Sequence, residues 1–145
     1  MRTAFIASLI VASPAYAWDV SAEGPLCRLF HDMEEASVDV TFDPRSNQPY
    51  SMVLEKNGDP WESAPVFAIR FDGLGPLTIS TQRHKLLDEG KKLTVSDRGF
   101  ENVLKGIAFN QMAVAMLGDQ QLVIPLIGAA PAVEQFRNCV VSPSA

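Results

Sequence analysis

The sequence is poor in the residues that most catalytic and metal-binding templates require. Its 145 residues include two cysteines and two histidines. Cys27 and Cys139 are too far apart for a CxxC redox centre, and neither His31 nor His84 has a second histidine at HExxH spacing. Two cysteines and two distant histidines make a poor zinc site, and nothing in the pattern calls for a cofactor. No serine stands in a GxSxG elbow or an SxxK pair. A phosphate loop around Gly90 would need Gly where Lys85 stands and Ser or Thr where Lys92 stands. Asp43-Pro44 and Asp59-Pro60 read as turns, without the alternating acids and closing Glu of an EF-hand.

Positive charge is also scarce. Twelve Lys and Arg face 17 Asp and Glu, a formal net charge of −5. Binding driven by release of phosphate counterions needs a basic surface, so nucleic acid is a poor partner. No apolar run approaches the roughly 18 to 20 residues that span a bilayer, so no transmembrane segment is expected. Repeats, low-complexity linkers and sharp composition changes are absent as well, which leaves a single domain.

What is present begins with an address. Arg2, a short apolar stretch and the small-x-small ending Ala15-Tyr16-Ala17 form the pattern of a secretory signal peptide. Cleavage after Ala17 leaves residues 18–145 as the mature domain, with Trp18 first and a location in the periplasm or outside the cell. In an oxidising compartment an even, sparse cysteine count points to a disulfide, and two cysteines allow one intramolecular pairing, Cys27–Cys139.

Turn pairs such as Gly24-Pro25, Asp43-Pro44, Gly75-Pro76 and Gly118-Asp119 punctuate the mature chain. Between them the residues predict short strands over 26–30, 37–42, 50–56, 66–71, 77–81 and 92–96. Val38, Val40 and Phe42 alternating with Asp39 and Thr41 is the clearest half-buried pattern. Phe100, Val103, Leu104 and Ile107 recur at helical spacing and predict a short helix near 99–107. Gly118-Asp119 predicts a hairpin between 111–117 and 120–126, with Pro125 marking its second arm as an edge or as one that ends early. A C-terminal helix near 130–138 then returns Cys139 towards Cys27, before a frayed tail over 140–145. The expected fold is mainly β with short helices: an antiparallel β-sandwich or open barrel.

Few side chains suggest chemistry. His31 lies in His31-Asp32-Met33-Glu34-Glu35, which reads as a solvated acidic turn leaving a strand. Arg83-His84-Lys85, with Arg70 before and Lys91-Lys92 after, is the main concentration of positive charge. These residues either receive an anion, which arginine can hold bidentately, or pair with Asp88, Glu89 and Asp97. Trp61 sits on or beside a loop, where it either anchors a partner or sugar ring or folds back to cap the core. Met112 and Met116 read as core filler in a strand.

The late order of strand, Gly128, helix and Cys139, in Leu122-Val-Ile-Pro-Leu-Ile-Gly-Ala-Ala-Pro-Ala-Val-Glu-Gln-Phe-Arg-Asn-Cys139, resembles a group of small exported proteobacterial proteins. The same stretch is similar to the tail of invasion-associated locus B-type proteins, whose middle region has no counterpart here. Some proteins of the first group carry an excinuclease ABC name, which is at odds with a short, export-marked chain that has no phosphate loop.

Together these features favour a non-enzymatic binding or interaction module, with an envelope protein, a glycan or a small anionic ligand as its partner. The alternative is a small hydrolase or anion-processing enzyme using His84 with Arg70 or Arg83. A third reading is a protease-inhibitor-like display of the Pro60-Trp61 loop. Intact mass of the exported protein tests the address and the staple together. Residues 1–17 should be missing and the remainder two hydrogens lighter than its reduced form, whereas an uncut chain with free thiols would contradict both.

Overall fold

The computed structural model describes residues 4–6 and 18–141. Apart from residues 4–6, the expected leader therefore lies outside the described residues. The elements run β1 (Asp19–Glu23), β2 (Leu26–Asp32), β3 (Ala36–Phe42), β4 (Tyr50–Lys56), β5 (Phe67–Gly73), β6 (Leu77–Thr81) and β7 (Lys85–Leu87). A single 3-10 turn at Asp88–Gly90 then leads to β8 (Lys92–Asp97), α1 (Glu101–Phe109), β9 (Asn110–Leu117), β10 (Gln120–Pro125) and α2 (Ala129–Val141). The strands form two antiparallel sheets, β1-β2-β3-β4-β8-β7 and β10-β9-β5-β6, which do not close into a barrel. Of the two expected architectures, the sandwich is the one observed.

Alternation along the strands explains how the sheets share one core. Cys27, Leu29 and His31 of β2 point inward, as do Ala36, Val38 and Val40 of β3 and Met52 and Leu54 of β4. Phe67, Ile69 and Phe71 of β5 supply the facing layer, beside Ala113, Ala115 and Leu117 of β9. A slip of one residue would turn each such set to solvent, so burial itself holds the register. Gly118 carries the positive φ of 58° that its turn requires, and Leu117 pairs with Gln120 across it.

The ends of the sandwich are closed by side chains and helices. α2 buries Ala129, Ala132, Val133 and Phe136 and packs on β1, β2 and α1. Its Cys139 is bonded to Cys27 of β2, with Cα atoms 6.0 Å apart across a sequence separation of 112. Closing so long a loop stabilises by up to about 4 to 5 kcal/mol on chain-entropy grounds. Trp18 stacks on His31 with ring centroids 5.0 Å apart. Its indole N–H donates to the Pro125 carbonyl at 3.2 Å, tying the β1 side of one sheet to the β10 edge of the other.

Several expectations are corrected. His31 is not on a solvated turn: β2 continues through it, and it is 5% exposed beneath Trp18. Met112 is 42% exposed and not core filler, because the β9 register turns Ala113 and Ala115 inward opposite Phe71 and Ile69. Small residues beside large ones fill that layer and leave no room for methionine. Strands β1 and β7 are not expected from the residue pattern. α1 starts two residues later than expected because Asp97 still belongs to β8, and α2 extends through Val140 and Val141. Residues 142–145 of the expected tail lie outside the described residues.

α1 packs against β5 at Gly106. A Cβ built there would come within 2.5 Å of the ring of Phe71, which is fully buried. Helix propensity alone would make Gly106→Ala stabilising by about 1 kcal/mol. Overpacking against a fixed ring typically costs about 1–3 kcal/mol and should win. Denaturant melts should show Gly106→Ala less stable than wild type, with part of the loss recovered when Phe71→Leu is added.

Candidate functional site

The two sheets part between β6 and β8, on the side away from Trp18, and a cleft of about 370 Å³ opens there. Met52 and Val95 line it from the six-stranded sheet, and Phe67, Ile69 and Ile79 from the four-stranded one. Phe100 and Val103, at the start of α1, complete the apolar lining. The rim is polar and includes Ser80, Thr81, Arg83, Asp97, Glu101 and Asn102. An apolar interior with a few polar groups at its mouth, in this size range, is the usual form of a small-molecule site. Such a cleft can desolvate an apolar body while leaving a polar group at the rim.

Opposite charges are paired around that rim. Arg83 donates to the Asp97 carboxylate at 3.1 Å, and the backbone N–H of Arg98 donates to the same carboxylate at 2.7 Å. Arg137 of α2 grips Glu101 of α1 with two hydrogen bonds, at 2.7 and 3.0 Å. Those bonds above all, helped by the nearby positive charges of Arg137 and Lys105, hold the Glu101 carboxyl below its ordinary value of 4.5 against the opposing effect of burial. Tyr50 lies against Phe42 and Phe100, at centroid distances of 4.9 and 5.5 Å, and burial raises its hydroxyl above the usual value of 10.0.

The residues singled out from the sequence are only partly brought together. Arg83 stands on the cleft rim. His84 points inward, with a ring nitrogen, Nε2, 2.9 Å from the Ala64 carbonyl and its ring 6.3 Å from that of Phe67. Its Nδ1 is buried and has no hydrogen-bond partner among the described residues. Lys85, exposed on β7, lines a separate polar cleft of about 390 Å³ with Gln48, Gln82, Thr94 and Ser96, to which Arg83 and His84 also contribute. Arg70 is on the outer face of β5, paired with Asp72 at 3.0 Å, and lines neither cleft. Trp61 is 3% exposed and donates to the Leu54 carbonyl at 3.2 Å, so it caps the core and offers no open ring to a partner. Among the described residues no group of three or more His, Cys, Asp or Glu is arranged to hold a metal.

The apolar lining carries no signal of its own in the sequence. Met52, Ile79, Val95 and Val103 look like any other core positions, and only the parting of the sheets distinguishes them. No family model matches the chain, and no curated protein or solved structure matches it.

The Glu101–Arg137 bridge generates a pH prediction. A carboxyl whose folded value is depressed adds stability above its unfolded value and loses it as pH falls through the folded value. Both side chains are partly exposed, at 56% and 37%, so the pair is worth about 0.2–1 kcal/mol and is screened by salt. Glu101→Gln should cost about that much in unfolding free energy at neutral pH and low salt. The difference from wild type should vanish in acid, below the folded value; a pH-independent difference would contradict the bridge as its source.

Proposed function

We propose that the protein is a non-enzymatic binding module of the bacterial envelope, periplasmic or secreted. Its ligand is a small amphipathic molecule, with an apolar body in the cleft between the sheets and a polar or anionic head at the rim near Arg83. The observation that carries this reading is the inter-sheet cleft, whose interior is apolar and whose mouth is polar. The wider setting supports an envelope location. The chain opens with a leader pattern, carries a disulfide and contains, among the described residues, no helix long and apolar enough to cross a membrane. The resemblance of residues 122–139 to small exported proteobacterial proteins points the same way.

Hydrolysis finds less support. A general base needs a reactive partner within hydrogen-bond reach. His84 instead has one ring nitrogen at a backbone carbonyl and the other buried without a partner among the described residues. Arg70 stands on a different surface from Arg83.

Anilinonaphthalene sulfonate, an apolar aromatic body with one anionic group, is a suitable probe. Its fluorescence should rise saturably with the folded protein and fall when octanoate is added. Ile79→Trp should fill the cleft and weaken probe affinity by about tenfold or more, equivalent to roughly 1.4 kcal/mol. Arg83→Gln should weaken octanoate more than octanol. Equal probe binding by wild type and Ile79→Trp would overturn the cleft as the site.

A further inference from the structure

A second surface lies at the opposite end of α1. Gly73 pairs with Asn110, and Met112 pairs with Pro125 on one side and Asp72 on the other. The turn after β5, the end of α1 that leads directly into β9 and the turn after β10 are therefore neighbours at one end of the four-stranded sheet. Each carries an apolar side chain in solvent: Leu74 is 95% exposed, Phe109 60% and Ile127 63%. These positions are held in place by backbone and side-chain hydrogen bonds. The Asn110 amide bonds both the N–H and the carbonyl of Gly75, at 3.2 and 2.9 Å, and also the Gly106 carbonyl at 2.9 Å. Leu126 donates its backbone N–H to the Gln111 carbonyl at 3.0 Å, and Ala129 does so to that of Leu126 at 3.1 Å.

Charge is nearly absent from this tip. Residues 72–77, 107–112 and 124–132 contain one charged side chain, Asp72, in a chain that is 20% charged. Even that carboxylate is neutralised by Arg70 at 3.0 Å. A rigid, nearly uncharged set of segments with apolar tips suits the interfacial layer of a bilayer, where a few anchors suffice and no shape complement is needed.

We propose that this tip docks on the surface of a zwitterionic phospholipid bilayer, with Leu74, Phe109 and Ile127 inserted as anchors. Two observations favour this occupant. A stable contact with a second copy takes roughly 800 Å² and 20–30 residues per partner, whereas the tip offers three anchors, two on separate turns and one at the end of α1. An anionic surface would repel a chain of net charge −5 whose tip, with Arg70 and Asp72 cancelling, has no net positive charge to offset the repulsion. The proposal is independent of the cleft, since none of the three anchors lines it.

Flotation of the full-length chain with phosphatidylcholine vesicles tests it, against the triple variant Leu74→Asp, Phe109→Asp, Ile127→Asp. Both chains carry the same residues 1–17, so the difference in partitioning reads the tip alone. Wild type should float with the vesicles, and the variant should partition about a thousandfold less, at roughly tenfold per anchor. Adding phosphatidylglycerol at low salt should weaken wild-type binding. A second, gentler variant, Phe109→Trp, should show a blue-shifted emission that brominated lipid quenches, over the constant signal of buried Trp18 and Trp61. Equal partitioning of wild type and a folded triple variant would overturn the proposal, as would an unmoved Phe109→Trp emission. A wild-type dimer that the triple variant dissolves, without vesicle binding, would assign the tip to a second copy instead.

Discussion

The bond between Cys27 and Cys139 fixes α2 over the β1–β2 end of the six-stranded sheet, and the positions of other functional parts follow from that seat. α2 packs on α1, and Arg137 holds Glu101 at the first turn of α1. That first turn brings Phe100 and Val103 to the cleft. The last residue of the same helix is Phe109, in the exposed tip. A helix of nine residues is about 13 Å long at 1.5 Å per residue. One short rod thus spans the distance between the two surfaces, and its placement sets both.

The contributions to that placement differ in size. Cross-linking a loop of this length stabilises by several kcal/mol, whereas the exposed Glu101–Arg137 pair contributes at most about 1 kcal/mol. Packing decides the remainder. Gly106 lets α1 approach Phe71, and Ala113 and Ala115 lie beside Phe71 and Ile69, so bulk on one strand is met by absence of bulk on its neighbour. The ion pair orients the helix; the covalent tie and the close contact at Gly106 hold it in place.

Much of the scaffold is legible in the residues. Alternation in β3 and β5, the turn at Gly118-Asp119 and the edge position of Pro125 follow from local chemistry and are observed. β1 and β7 escape such a reading because short edge strands carry little alternation of their own; each is made by pairing with β2 or β8. His31 misleads because its acidic neighbours suggest solvent, while a stacked Trp18 from outside its own strand buries it. The candidate site is less legible. Arg83 stands out by its charge, but the apolar lining does not, because a cleft residue and a core residue have the same local pattern.

By itself the sequence determined the strand periodicity, the punctuation by turns and the one possible pairing of two cysteines, because each depends on a residue's own chemistry or on neighbours a few positions away. Only the tertiary structure decided that the sheets part beside β6 and β8, that Trp61 is closed off and that three distant segments share one apolar end. Those outcomes depend on which distant surfaces meet. Two sheets of unequal strand number and two helices can share a core in only a few ways, and the volume left between them is a property of the whole assembly rather than of any segment.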